Sequence, residues 1–152
     1  MRTEQVKQFL QQHGLLDRYI HNPTSSATVE LAAQALGCEP GRIAKTLGFV
    51  TKQGPMVIVA GGTAKIDNAK YKAVFNEKAR FMKLDEVETL TGHPVGGVCP
   101  FALNPQVKVY LDASLKAFDP VYPAAGAPDN AVKLSLQELQ TLTGGQWVDV
   151  CK

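Results

Sequence analysis

Residues 47–60 constrain the fold more than any other stretch of the chain. LGFV and PMVIVA are two apolar runs separated by little more than Lys52-Gln53-Gly54. Apolar and β-branched residues on either side of a short polar turn with glycine predict an antiparallel hairpin inside a sheet. The first strand opens with RIAK, so one lysine, Lys45, stands at the mouth of a strand that otherwise runs through Leu47, Phe49 and Val50. Burying an ammonium group is costly unless something anionic or polar meets it. Read alone, Lys45 is a strand-end lysine whose head snorkels to water. Its company argues for more, because the apolar residues of both strands would hold the ammonium still.

The segments around the hairpin predict one mixed domain. Val6, Phe9 and Leu10 fall at helical spacing over 3–12, with Thr3 as N-cap and His13-Gly14 as the stop. Val29, Ala32, Ala33 and Leu36 define a second helix over 27–36, closed by Gly37. The stretch between them, DRYIHNPTSS, reads as irregular. A third helix covers 68–75, with Asp67 placed to cap it, and a short strand follows over 80–84. DEVE (85–88) and SLQE (135–138) have capping-box character and open helices ending at Gly92 and near Leu142. Strands are expected over 107–111, 121–122 and 131–134. A last edge strand over 147–150 is an alternative to simple packing of Trp147. This order is α+β, without the βαβ series of a doubly wound sheet. The 152 residues fit one domain, 1–152, with a hydrophobic content of 45% and a charged content of 20% that argue against disorder.

A second unusual stretch, GHPVGGVCPF (92–101), lies about fifty residues beyond Lys45. Its glycines can bring bare backbone N–H groups up to a ligand. The run Gly96-Gly97-Val98-Cys99-Pro100 is read as presenting consecutive backbone donors to a developing oxyanion, where one donor is typically worth ~10²–10³ in rate. The alternative is a tight loop that topology forces, the usual meaning of paired glycines. Cys99 is read as lining a pocket rather than as a nucleophile, since nearness of His93 in sequence is not the spatial pairing that activation requires. Pro100 and Phe101 complete the candidate loop. Gly61, where Gly61-Gly62 ends the returning strand, and His21, in a polar loop that could border a cleft, join the binding candidates.

Composition narrows the classes. His13, His21 and His93 have no metal-ligand spacing, and the three cysteines, an odd number, have no CxxC pairing. No metal or cofactor is expected, and a reducing cytoplasm is the simpler home. No window reaches the ~18 apolar residues of a membrane span. A net charge of +2 is too small to demonstrate nucleic-acid binding. Locally, Lys65, Lys70, Lys72, Lys78, Arg80 and Lys83 with Tyr71 and Phe75 interleaved could track a phosphate backbone; a solvated helix face explains them equally well.

With these pieces in order, the chain resembles the YbaK/prolyl-tRNA-editing family of freestanding aminoacyl-tRNA deacylases. The resemblance is carried by SATVELAAQALGCEPGRIAKTLGFV, MVIVAGGTAKIDNAKYK, DEVETLTGHPVGGVCPFAL, VYLDASL and LSLQEL, in the family's order over about 25–142. It implies a mixed, largely antiparallel, barrel-like sheet with surrounding helices, similar to the editing domain inserted in bacterial prolyl-tRNA synthetases. It implies hydrolysis of the ester between a wrong amino acid and the 3′ end of tRNA, most often proline tRNA, with the synthetase itself as a possible partner. The family's lysine matches Lys45, its G-x-x-P loop matches Gly97 to Pro100, and a small-residue loop matches Ala125-Gly126. On that basis Lys45 would orient the terminal adenosine or its phosphate and help hold the carbonyl. The N–H groups of Gly97, Val98 and Cys99 would take the oxyanion. Position 46 is Thr where an alanine-clearing branch has Asn, and that branch's histidine near the C-terminal loop has no counterpart in APDN (127–130). Cys99 stands where a cysteine-clearing branch has Ser. These departures leave the amino acid open. The competing expectation is a module of the same fold that binds a tRNA end or nucleotide without turnover.

Overall fold

The structure is a computed structural model that describes residues 2–21 and 28–152. Its centre is the expected hairpin, β2 (Ile43–Thr51) with β3 (Gly54–Gly61), antiparallel and in register from Ala44↔Gly61 to Thr51↔Gly54. β4 (Lys108–Asp112) and β7 (Gln146–Val148) extend the sheet parallel beyond β3, and β5 (Tyr122–Pro123) pairs parallel with the start of β2. The order β5-β2-β3-β4-β7 makes a curled five-stranded half-barrel. The sheet is mixed, as expected; its antiparallel share rests on the long hairpin, and the other three pairings are parallel. β1 (Tyr19–His21) and β6 (Asn130–Val132) form a separate antiparallel pair, so the segment read as irregular contributes a strand.

Both faces of the sheet are covered, which is why PMVIVA is apolar without alternation. Val57, Ile58, Val59 and Ala60 are 0% exposed. On one face Val59 and Leu111 pack with Val6 and Leu10 of α1 (Thr3–Gln12) and Leu139 of α5 (Leu136–Thr143). On the other, Phe49, Ile58 and Ala60 pack under Tyr71 of α3 (Asn68–Phe75). Each such large side chain contributes roughly 1.5–3 kcal/mol. α2 (Val29–Leu36) and α4 (Val87–Thr91) complete the helices. Among the described residues no helix is long and apolar enough to cross a membrane.

Local capping explains several boundaries. Asp67 accepts from Ala69 and Lys70 N–H, and Ser135 with Glu138 forms the expected capping box. Thr28 caps α2 through Leu31 N–H; the expected start at Ala27 lies outside the described residues. Other expectations are corrected. Arg2, not Thr3, occupies the N-cap of α1. DEVE forms no capping box: Glu86 sits at the N-cap without a side-chain cap, its carboxylate accepting from Lys83 N–H at 2.8 Å. Residues 80–84 form a single bridge, Phe49↔Phe81, because only Val50 N–H to Arg80 O and Met82 N–H to Gly48 O join them to β2. The strand expected over 147–150 lies at Gln146–Val148, at the sheet edge.

Candidate functional site

β5 reaches only Ile43 and Ala44, so β2 leaves its sheet neighbour just where Lys45 begins. There a cleft of about 310 Å³ opens, floored by Ala44 to Gly48 of β2. Val29, Ala32 and Leu36 of α2 form one wall, and Phe81 and Met82 another. Val95, Gly96 and Val98 come from the glycine-rich loop, and Ala124, Ala127 and Pro128 from the connection before β6. Lys45 is the one charged side chain of this lining, which among the described residues holds no Ser, Cys, His, Asp or Glu.

Lys45 is held by geometry that starts in the hairpin. Its β3 partner is Ala60, and its Nζ donates to the carbonyl of Ala64. That carbonyl is fixed by Ala64 N–H to Gly61 O at 3.0 Å and, one residue on, by the Lys65–Lys152 main-chain pair. One of three ammonium donors is thereby used, and among the described residues the others have no hydrogen-bond partner and remain for a ligand. Burial pulls the Lys45 pKa below its ordinary 10.5, and the like charge of Lys65 pulls the same way. Next along the strand, the Thr46 hydroxyl is buried and has no hydrogen-bond partner among the described residues.

The glycine-rich loop is stapled at both ends. His93 is fully buried, and its Nε2 lies 2.6 Å from the Phe101 carbonyl. A carbonyl only accepts, so Nε2 carries the proton. Burial lowers the His93 pKa and keeps the ring neutral at neutral pH. Thr91 Oγ1 accepts from His93 N–H at 3.1 Å. Within the loop, Gly97 N–H donates to Pro94 O at 2.9 Å. Gly97 is therefore not the free oxyanion donor expected of it. Val98 N–H has no protein acceptor among the described residues, and Val98 lines the cleft.

Gly97 has a packing role instead. A Cβ there would lie 2.8 Å from the Gly126 carbonyl oxygen. The two small-residue loops thus touch backbone to backbone. Ala125, fully buried, and Gly126, at φ 98°, support this contact from behind, while Ala127 and Pro128 face the cleft. Asn130 holds the second loop: its Oδ1 accepts from Ala125 and Ala127 N–H, and its Nδ2 donates to Ala125 O.

Lys45, Thr46, Gly96 and Val98 thus converge on one cleft, and the remaining candidates do not line it. Cys99 is wholly buried; its thiol donates to Phe101 O at 3.6 Å, and burial pushes its pKa up to about 12. It stays out of the cleft because the loop turns it into the core. Pro100 is buried, and Phe101 stacks on Phe9. Gly61 is a structural contact, its N–H donating to Ser114 Oγ at 3.0 Å. His21 points outward and pairs with Asp129 at 3.3 Å, because the alternation of β1 turns its neighbour Ile20 to the cleft. Lys70 is spent on Asp149 and the Cys151 carbonyl, Lys72 is exposed on α3, and Lys65 acts on Lys45 only through charge. Sequence reasoning missed Phe81, Ala127, Pro128, His93 and Asn130. APDN drew notice for the histidine it lacks, and no local pattern places it beside a loop thirty residues earlier.

Residues 23–142 match the aminoacyl-tRNA editing domain family. The uncharacterized protein YwhH of Bacillus subtilis (strain 168) is 48% identical over 131 residues, covering 85% of this chain and 83% of its own. EbsC of Enterococcus faecalis (strain ATCC 700802 / V583), named as a candidate Cys-tRNA(Pro)/Cys-tRNA(Cys) deacylase, is 33% identical over 125 residues, covering 81% of this chain and 76% of its own. A crystal structure described as a candidate trans-editing enzyme for prolyl tRNA synthetase superposes with a TM-score of 0.89 at 32% identity, covering 99% of this chain and 96% of that one.

Proposed function

The chain belongs to the aminoacyl-tRNA editing domain family, and from that premise we propose that it removes a small amino acid wrongly attached to proline tRNA. Deacylation of aminoacyl-tRNA is the family's activity; the amino acid, the tRNA and the residue roles below are our reading. The observation that carries it is the convergence of Lys45 and Thr46 of β2 with Val98 of the glycine-rich loop on one cleft, from two segments about fifty residues apart. Lys45 approaches the acyl carbonyl or the neighbouring phosphate, and Val98 N–H meets the negative charge that grows on the carbonyl oxygen.

Among the described residues the wall supplies no activated nucleophile, so the attacking oxygen or sulfur comes from water, the tRNA hydroxyl or the substrate side chain. An aminoacyl ester is already reactive, and positioning with electrostatic stabilisation suffices. The small side chains of Ala32, Ala124 and Ala127 suit a small acyl group. A synthetase separates substrates differing by one methylene by only ~1–3 kcal/mol, which is the gap a separate hydrolase fills. α1 lies ahead of the matched segment, yet its Val6 and Leu10 share a core with Leu111 and Leu139. We therefore take 1–152 as one editing domain.

The test is a deacylation panel on proline tRNA charged with alanine, cysteine, serine, threonine or 2-aminobutyrate, wild type beside Lys45→Ala. Release of at least one amino acid, lost in a folded Lys45→Ala variant, is the expected result. Tight binding of charged tRNA with no release from any of them would replace this reading with a non-catalytic module.

A further inference from the structure

The outer edge of β2 has a gap. Its inner side pairs with β3 throughout. On the outer side β5 covers Ile43 and Ala44. Further along, Val50 N–H donates to Arg80 O at 2.9 Å, and Met82 N–H donates to Gly48 O at 3.0 Å. Those two bonds mean that Gly48 and Val50 turn their main-chain groups outward. Main-chain groups of successive strand residues point alternately to either side, so Thr46, two residues before Gly48, also points outward. The hairpin gives the same phase. A two-residue connection makes Thr51↔Gly54 the closing hydrogen-bonded pair, which sets the odd-numbered residues of β2 toward β3.

Among the described residues, nothing from the sheet stands opposite Thr46. β5 stops at Ala44, and the bridge on the other side is at Phe49↔Phe81. The N–H and C=O of Thr46 therefore face the cleft, beside a Thr46 hydroxyl that is itself buried and unpartnered. Open strand edges recognise extended ligands through main-chain hydrogen bonds. The ligand of this cleft, on the reading above, carries a positive α-ammonium group that needs an acceptor. Among the described residues the wall offers it no carboxylate, and the Asn130 Oδ1 is already engaged by Ala125 and Ala127. Lys45 repels it.

Resting on that reading, we infer that the open main chain of Thr46 receives the aminoacyl group as one further strand residue. The Thr46 carbonyl accepts from the α-ammonium, and the Thr46 N–H donates to the acyl carbonyl oxygen. An amino-acid ester carries its donor and acceptor on either side of Cα, as a strand residue does, so it pairs as two directly opposed antiparallel residues pair. The ammonium makes the stronger, charge-assisted bond. Substrates whose nitrogen is acylated, peptidyl-tRNA among them, lose that charge and are spared. The site thereby selects aminoacyl esters over other acyl esters on tRNA.

The test compares alanyl- and 2-aminobutyryl-tRNA with their α-hydroxy counterparts, lactyl- and 2-hydroxybutyryl-tRNA, made by nitrous-acid deamination. Each enzymatic kcat/KM is divided by the spontaneous hydrolysis rate of the same ester, which removes the intrinsic effect of the ammonium. The expected result is a loss of about tenfold or more for the hydroxy esters, the size of a lost charge-assisted hydrogen bond. Thr46→Val, which keeps the main chain but removes the hydroxyl, lowers both rates and keeps their ratio. Equal corrected rates for amino and hydroxy esters would overturn the inference while leaving the deacylase reading intact. So would a ratio that collapses in Thr46→Val, since the hydroxyl would then be the reader. No hydrolysis of either aminoacyl ester, nor of any other in the panel above, would overturn both.

Discussion

Replacing Gly97 by Ala tests the idea that two backbones, pressed together, set the position of the cleft wall. The added Cβ would sit 2.8 Å from Gly126 O, 2.9 Å from Gly126 C and 3.0 Å from Ala127 Cα. Ordinary contact begins near 3.4 Å, so the loops must part by about 0.6 Å, and none of these atoms is the end of a flexible side chain. Overpacking of this kind costs ~1–3 kcal/mol. For a chain of this size each kcal/mol lowers Tm by roughly 2–4 °C, which predicts a fall of about 2–12 °C in a thermal melt followed by circular dichroism. Val98 N–H is one residue away and moves with the loop. A misplacement of ~1 Å at a reacting centre can cost ~10²-fold, so a tenfold or larger drop in kcat is expected. Gly96→Ala is the control. Its Cβ would meet only Pro128 Cβ at 3.8 Å, but φ is 88°, so it carries backbone strain without collision. That strain costs ~1–2 kcal/mol. A Gly97→Ala protein with unchanged Tm and kcat, or one that loses no more activity than Gly96→Ala, would refute the reasoning.

Three further outcomes are expected. The ammonium of Lys45 deprotonates below the ordinary lysine value, so deacylation falls as pH rises through that lowered pKa, and a Lys45→Arg variant with measurable activity shows no such fall; a rate profile between about pH 6 and 10, corrected for spontaneous hydrolysis, checks this. Buried Asp112 accepts from Val150 N–H and Ser114 N–H, each at 2.8 Å. Burial alone would raise its pKa, but these donors hold it below the ordinary 3.8, so its stabilising contribution is complete above 3.8 and is lost as pH falls through the lower folded value. Asp112→Asn cannot accept both bonds through the same two atoms, and should cost ~1–3 kcal/mol at neutral pH, with the difference from wild type shrinking in melts taken at low pH. Cys99, fully buried with its thiol near 12, should resist iodoacetamide at neutral pH in the folded protein; alkylation of Cys99 that tracks loss of activity would contradict its placement.

Local chemistry makes several features legible in the amino-acid order. The 47–60 hairpin is readable because alternate and continuous apolar runs around a two-residue turn have few other solutions. Asp67 at the start of α3 and the Ser135–Glu138 box are readable because capping is a contact across only two or three residues. Lys45 stands out because a charge amid β2 needs a partner. The misleading residues are those whose neighbours are distant in sequence. Gly97 looks like a donor, but Pro94 takes its N–H and Gly126 explains its lack of a side chain. Lys70 looks like a phosphate contact, and Asp149 and Cys151 occupy it instead.

Taken by itself, the amino-acid order determined the hairpin, the caps of α3 and α5, the mixed α+β class and the one cation worth following, since each depends on residues a few positions apart. Tertiary structure alone decided which groups share the cleft. Where β5 ends along β2, where Arg80 and Met82 resume that edge, and how the 93–101 and 125–130 loops press together are contacts across tens of residues. The open main chain of Thr46 exists only as the interval between two such long-range pairings, and no local pattern records it.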